Sequence, residues 1–440
     1  MKKKIMQNTI RKIMFAMLLL FISFMGCNKT DTPTKDTELK ESADVANAWY
    51  RLQLRFLLER NSTLNGVYFG HMGIGLFESV RNGIPNAVSL STLINKMPAM
   101  PAYVKSSKYN WTESANAAMA SMLRSFNVGL TAANSSSIDS LEEVFNVKVK
   151  AIADAATFER SQLFGRSIGK AINDWRLTDD INITNAGYVP PVGPGLWQAT
   201  PPAFALPINP FIGTSSTFLS IHTTTVAPAP TIAFSEDPAS DFYKMVKQVY
   251  DVNLALTQDQ KNTALYWVDQ GNGVGYTPPG HDFFIVTEAI EQAGVNLGIA
   301  AEAYAKAGIA ERDGTIVTFR SKYKYNLLRP VTYVQKLIQP GWLPYIPTPP
   351  HPEYPAAHAA LSGSVYQATA RVLGETKPVT DRIYEFRSFP ARTYPNLFAA
   401  AEEAGISRLY GGIHYQPSIT AGLALAKQLG NNVGDLKIKP

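Results

Sequence analysis

Six histidines, His71, His222, His281, His351, His358 and His414, are spread along the chain, and three of them fall in its last 90 residues. The same region carries the permanent cations Lys322, Arg329 and Arg408. Lys322 and Arg329 lie in Lys-Tyr-Lys-Tyr-Asn-Leu-Leu-Arg-Pro, seven residues apart. That spacing is close to two helical turns and predicts that both side chains point the same way. No carboxylate lies between them, so the stretch leaves both charges locally unneutralised. Pro330 restricts Arg329 and ends or kinks the helix there. His358 lies in His-Pro-Glu-Tyr-Pro-Ala-Ala-His, where Pro355 suits a helix start and Ala356 and Ala357 lead into the first turn. A helix start offers free N–H groups and a positive dipole end to an oxyanion, beside which His358 can serve as acid or base. Arg408 and His414 lie in Ser-Arg-Leu-Tyr-Gly-Gly-Ile-His-Tyr-Gln-Pro-Ser. Gly411 is expected to close one helix and Ser418, after Pro417, to cap the next. His414 would then project from a tight connection as nucleophile or ligand. Taken singly, these pieces also fit a solvated basic face, a packed histidine and a plain turn. Taken together, two histidines and three cations suit a tetrahedral oxyanion, phosphate or vanadate.

The elements that must position these groups read as helices. Apolar residues recur at helical spacing over Ala43 to Glu59, Ala115 to Phe126, Leu141 to Trp175 and Asp241 to Leu256. The same holds for Phe283 to Lys306, Ala356 to Leu373, Leu397 to Tyr410 and Ser418 to Leu429. Sustained alternation is missing, so a large sheet is not expected. The fold class expected is all-α, a large helical domain built as two packed helical bundles. Segments 184–215, 222–240, 270–281 and 339–355 are long and rich in Pro and Gly. Long ordered loops in a compact domain are usually functional, and the expected rim of the site is 339–355 with 411–417.

The chain has 440 residues, 45% hydrophobic and 17% charged, which is a globular composition. A single cysteine, Cys27, excludes a disulfide framework and a cysteine-based metal knuckle. Five of the six net positive charges sit on Lys2, Lys3, Lys4, Arg11 and Lys12. The rest of the chain is nearly neutral, so no nucleic-acid partner is expected. The run Ile13 to Met25 is shorter than the roughly 20 residues of a membrane span and suits a signal-peptide core. Gly26-Cys27 follows directly, like a bacterial lipobox. Residues 1–26 are therefore expected to be a lipoprotein-type signal peptide, 27–42 a flexible tether and 43–440 the helical domain. Lipidation of Cys27 would hold an exported protein on the outer leaflet of a bacterial membrane.

The order Lys322-x6-Arg329-Pro330, Pro355-x-x-His358 and Ser407-Arg408-x5-His414 resembles the type 2 phosphatidic-acid phosphatase superfamily. Within it, the chain resembles the vanadium-dependent haloperoxidases, with 315–430 as the site region. Gly-Leu-Trp-Gln-Ala-Thr-Pro-Pro at 195–202 and Tyr-Thr-Pro-Pro-Gly-His at 276–281 also look like bacterial haloperoxidase relatives. The resemblance implies a vanadate cofactor with His414 bonded to vanadium. Lys322, Arg329 and Arg408 would hold its equatorial oxygens, with the Ala357 N–H in place of a motif glycine's. His358 would bond the apical oxygen and manage protons. His351 stands where chloride-oxidising members tend to carry Phe and bromide-oxidising members His. The activity implied is oxidation of bromide or iodide by hydrogen peroxide. The alternatives are an acid phosphatase, in which His414 attacks the phosphorus of a phosphate ester, and a lipoprotein with a weakened oxyanion site. The family's Pro-Ser-Gly-His is here Pro355-Ala356-Ala357-His358, and Ser418 stands where an Asp often follows the last histidine. Losing the hydroxyl at 356 is expected to weaken oxyanion binding, and Ala356→Ser to strengthen it.

Overall fold

The computed structural model describes residues 39–60, 64–270 and 275–439. The expected signal peptide 1–26, Cys27 and residues 28–38 of the expected tether lie outside the described residues. The last four residues of the expected tether do not hang free. Leu39 is buried in the main core, the Glu41 carbonyl accepts the Leu297 N–H at 2.7 Å, and Ser42 pairs with Asn296. The packed body therefore begins at Leu39.

Helices dominate the described residues, as the periodicity predicts. In the first half they are α1 (Asp44–Arg60), α2 (Leu64–Val80), α3 (Trp111–Phe126), α4 (Ala132–Lys150) and α5 (Ala155–Leu177). Next come α6 (Asp241–Leu254), α7 (Gln258–Tyr266), α8 (Pro278–Ala293) and α9 (Leu297–Tyr325). The second half adds α10 (Pro330–Leu337), α11 (Ala357–Leu373), α12 (Leu397–Tyr410) and α13 (Gln416–Gly434). Two three-residue strands, β1 (Val379–Asp381) and β2 (Arg392–Tyr394), pair antiparallel.

Three expected helices are divided or ended by local chemistry. The run 141–175 breaks where the Asp154 carboxylate caps α5 by accepting the Thr157 N–H. The run 283–306 breaks at Gly294, φ +59°, and restarts at Asn296, whose side chain caps α9. Lys322 and Arg329 do not share a helix. α9 ends at Tyr325, Asn326 takes a left-handed turn with φ +48°, and Arg329 precedes Pro330, the first residue of α10. α2 carries no helix signal in its Gly-rich sequence. Glycines on both sides allow close approach to α9: a Cβ on Gly73 of α2 would fall on the Tyr304 carbonyl, and one on Gly308 of α9 on the Phe69 carbonyl.

The helices form two packed groups with shared members. α2 packs on α3 and α3 on α5, while α11 packs on α12 and α13. α9 lies against both α2 and α11, and α8 against both α1 and α11. α9 is buried almost all round, charges included, and those charges hold the long loops. Arg312 forks onto Asp179 with two bonds of 2.6 Å. Asp313 accepts the N–H groups of Phe218 and Leu219 and pairs with His222 Nδ1 at 2.8 Å. Arg320 donates to the carbonyls of Gly213, His222 and Thr225. Segment 195–197 is tied to the end of α9: Trp197 N–H donates to the Asn326 carbonyl and Leu328 N–H to that of Gly195. No helix among the described residues is long and apolar enough to cross a membrane.

Candidate active site

A cavity of about 430 Å³ opens between α9, α11 and the loops. Its lining includes His351, Ala357, His358, Arg408 and His414. The two histidines expected to do the chemistry thus face one cavity. The expected rim is present in part: residues 346–351 and 413–414 line it, joined by Ile183, Ile208, Asn209, Ile212 and the start of α8.

His414 is buried, and both ring nitrogens are engaged. Nδ1 lies 2.8 Å from Glu353 Oε1, and Nε2 lies 3.1 Å from Arg329 Nη1. Arg329 can only donate, so Nε2 presents its lone pair and Nδ1 carries the proton. Burial, with Arg329 and Lys322 beside it, holds His414 well below the ordinary histidine range. The ring is therefore neutral. Glu353 also accepts the Tyr415 N–H on Oε1 at 3.0 Å and the Ser418 hydroxyl on Oε2 at 2.6 Å. Burial pushes its carboxyl up. Acceptance on both oxygens, next to two cations, is the pattern of the charged form. Ser418 thus does not cap α13, whose N-cap is Tyr415. It holds the acid that serves His414. Glu353, outside the stretch between Lys322 and Arg329, opposes their charges electrostatically without an ion pair to either among the described residues.

Arg329 is fully buried and ties three segments together. It donates from Nε to the His351 carbonyl, from Nη1 to the Ile413 carbonyl and from Nη2 toward His351 Nδ1 at 3.1 Å. Burial lowers it to about 10, so it stays charged at neutral pH. Burial and the nearby cations hold His351 well below its usual range, so it is neutral too.

Lys322 is placed differently from expectation. It does not line the cavity, and its three donors go to the carbonyls of Pro352, Glu353 and Pro355, at 3.0, 3.0 and 2.6 Å. In this arrangement it braces the turn into α11 and reaches an oxyanion only by releasing a carbonyl. Arg408 compensates. It donates from Nε to Ser407 and from Nη2 to the Trp267 carbonyl, and its Nη1 has no partner among the described residues. Burial lowers it to about 10.

His358 stands in the first turn of α11 with Nε2 3.3 Å from Asp269 Oδ2. Burial and then Arg408 lower it to about 4, so it is neutral and able to accept a proton. Behind it runs a network that sequence reasoning missed. Asp269 Oδ1 takes His281 Nδ1 at 2.8 Å and the Tyr384 hydroxyl at 3.0 Å. His281 Nε2 lies 3.0 Å from Asp381 Oδ2, which also accepts the Tyr266 hydroxyl at 2.6 Å. Trp267 stacks on His281 at 4.2 Å. Burial alone would lower His281, but Asp269 and Asp381 outweigh it and raise the ring to about 10. His281 is an imidazolium clamped between two acids. Its signal was the Tyr-Thr-Pro-Pro-Gly-His stretch.

Ala356 is the N-cap of α11 and packs in a buried cluster with Leu409, Tyr415 and Ile419, and it does not line the cavity. The missing hydroxyl is therefore a missing helix cap. Ala357, the first residue of α11, does line the cavity.

A family model described as the second helical-bundle domain of VCPO matches residues 336–438. A crystal structure of a bacterial vanadium-dependent iodoperoxidase superposes with a TM-score of 0.79 at 25% identity, covering 89% of this chain and 96% of that one. The chain is thus similar to vanadium haloperoxidases in fold over most of its length, and to their second helical bundle over residues 336–438. A holo-type bacterial vanadium-dependent chloroperoxidase shares the fold at 14% identity, TM-score 0.61, over 85% of this chain and 92% of that one. Its apo-type counterpart gives the same TM-score and identity over 92% and 95%. A search of curated proteins gave no match. The chain offers an oxyanion the unpaired edge of Arg408, the open N–H groups of the first turn of α11 and the neutral His414 lone pair, which now accepts from Arg329; Arg329, like Lys322, does not line the cavity. No cluster of three or more acid, histidine or cysteine ligands occurs among the described residues. That donor set suits an oxyanion held through its oxygens and one nitrogen, not a bare cation.

Proposed function

We propose that the protein is a vanadate-dependent peroxidase that oxidises iodide or bromide with hydrogen peroxide. The observation that carries this reading is His414, held neutral with its Nε2 lone pair beside Arg329, in the wall of the cavity that His358 and Arg408 also line. The residues present fit vanadate: His414 Nε2 would bond it on releasing the Arg329 N–H that it now accepts, and that N–H, Arg408 and the Ala357 N–H would hold its oxygens. When bound, vanadate supplies Lewis-acid activation of peroxide. The chain supplies the rest. Glu353 keeps the proton on His414 Nδ1 and so keeps Nε2 available. Neutral His358, steadied by Asp269, accepts a proton from incoming peroxide. Arg329 and Arg408 offset negative charge in a site shielded from water. His351, neutral and in the cavity lining, is the residue set to meet the halide, and it favours the easily oxidised iodide and bromide over chloride.

The test is to purify the mature protein and load it with vanadate. Oxidation of iodide, bromide and chloride is then assayed in parallel with phosphate-ester hydrolysis. Iodide or bromide turnover without chloride turnover is expected. Ester hydrolysis without halide oxidation would instead make His414 a phosphatase nucleophile, and chloride turnover would overturn the halide assignment. From the sequence alone we also propose that Cys27 is lipidated and holds the protein on an outer leaflet. Cys27→Ser should move it from the membrane fraction to the soluble one, and an unchanged distribution rules the anchor out.

A further inference from the structure

Asp269 divides its two oxygens unequally. Oδ2 stands 3.3 Å from Nε2 of His358, the ring that lines the cavity. Oδ1 takes the shorter contacts, 2.8 Å from His281 Nδ1 and 3.0 Å from the Tyr384 hydroxyl. The acid behind His358 is thus committed first to a second histidine, which is fully buried and does not line the cavity. The contacts of that second ring fix its proton count. Each of its nitrogens faces a carboxylate oxygen, and a carboxylate only accepts. Asp381 also takes the Tyr266 hydroxyl on Oδ2 at 2.6 Å and the Ile383 N–H on Oδ1 at 2.9 Å. Acids accepting this much are charged, and a ring donating from both nitrogens is an imidazolium. The Trp267 indole covers its face at 4.2 Å, while the Trp267 carbonyl accepts from Arg408. One tryptophan therefore seats both cations that flank Asp269.

Charge around His358 then balances. His281 and Arg408 oppose Asp269 and Asp381, and the other groups facing them add nothing below neutral pH. Burial pushes the Asp282 carboxyl of α8 up to about 7 and that of Glu311 on α9 well above the carboxylate range. It raises the phenols of Tyr266, Tyr366 and Tyr384 too, and His351 is neutral. Farther out, Arg392 of β2 pairs with Glu403 of α12 at 2.6 Å, and half-buried Arg387 lies over the Tyr384 ring at 4.9 Å. Were His281 uncharged, two buried carboxylates would face the single cation Arg408. The ring in contact with Asp269 that could restore the balance is His358, by taking up a proton.

We propose that His281 is a positioning residue for His358: it holds a proton and the shorter hydrogen bond of Asp269, and so keeps His358 empty, with Nδ1 left to the cavity. For the catalytic step this rests on the peroxidase reading above. There the peroxide O–H bond breaks and an N–H bond forms at His358 Nδ1. The group of charges is then one positive charge out of balance. That excess drives the same proton on to the oxygen that leaves as water, and the base is emptied for the next peroxide.

The rings can be read directly in the purified protein before vanadate is added, by ¹⁵N spectra of labelled histidine between about pH 3.5 and 7. His281 should show both nitrogens protonated throughout, and His358 should stay neutral down to about 4. A bare nitrogen on His281 overturns the proposal, and this wild-type result decides the matter even if a variant fails to fold. His281→Asn puts an amide where Nδ1 stood, which keeps a donor to Asp269 and removes the charge. The His358 midpoint should rise by about one to two pH units. Asp381→Asn disturbs the same packing but removes a negative charge, so the midpoint should not rise. A midpoint unmoved by His281→Asn overturns the proposal. So does an equal rise in Asp381→Asn, which would show an effect of packing alone. With vanadate, peroxide and iodide, the acid limb of kcat/KM should move up with the His281→Asn midpoint, and a limb that stays in place counts against the role. Absence of halide oxidation with the midpoints as expected would remove the peroxidase reading and leave the pairing of the two histidines standing.

Discussion

At the scale of single residues, the site is organised around Glu353. It receives His414, the Tyr415 N–H and Ser418, and Arg329 lies on the other side of the same imidazole. The acid that the chain lacks after its last histidine has moved to another segment, and the serine left behind orients it. Glu353→Gln should therefore weaken vanadate binding by about tenfold to a hundredfold, the loss of one hydrogen bond to a charged group. It should also shift the proton between the His414 nitrogens, visible in imidazole ¹⁵N spectra. Adding Ser418→Asp to Glu353→Gln should restore much of both. A double variant no better than the single one would show that Glu353 acts only in packing. Little of this was legible in the sequence. Glu353 stands in the same stretch as His358, but its purpose depends on Ser418, 65 positions away. Lys322, Arg329, His358, Arg408 and His414 were legible because their types and order are unusual together. What each touches was not, since three carbonyls that claim Lys322 leave no mark in composition or spacing.

At the scale of elements, the sequence located helices well and their ends less well. Periodicity reports a buried face, and it continues across a break when both flanking helices bury the same side. That is why 141–175 and 283–306 read as single runs. α2 was hidden for the opposite reason: glycines that oppose a helix in isolation are required where its backbone meets α9. α11 shows how a helix end can be mistaken for a binding group. Its N-cap is Ala356, with no side-chain cap and no share in the cavity wall. Ala356→Ser should give the hydroxyl a backbone N–H in the first turn and raise stability by about 0.5–2 kcal/mol. Vanadate affinity should change by less than about twofold. Chemical denaturation and a vanadate titration on the same two proteins check this; a large gain in affinity with unchanged stability would place the hydroxyl on the anion instead.

At the scale of the whole molecule, buried histidines pull stability in opposite directions with pH. All of them titrate near 6.5 in an unfolded chain. His358, backed by Asp269 and facing Arg408, refuses a proton until about pH 4. Below 6.5 the unfolded chain binds protons that the folded one does not, so this contribution is full above 6.5 and is lost as pH falls toward 4. His281, between Asp269 and Asp381, keeps its proton up to about 10. Its contribution is full below 6.5 and is lost as pH rises toward 10. The melting temperature should thus peak near neutrality. His281→Asn should lower the peak and flatten the alkaline limb while the acid limb persists. An unaltered alkaline limb would mean that His281 is not protonated in the fold.

The sharing of α8 and α9 between both groups of helices also bears on how molecules come and go. Among the described residues the two groups of helices are joined through common helices, and loops beside the cavity are fastened to α9 by Arg312, Asp313 and Arg320. In the proposed reaction, reactants and products would then pass by diffusion through a standing doorway. The proposed turnover should then be insensitive to solvent viscosity, and small ions should exchange faster than any molecule bulky enough to touch every wall.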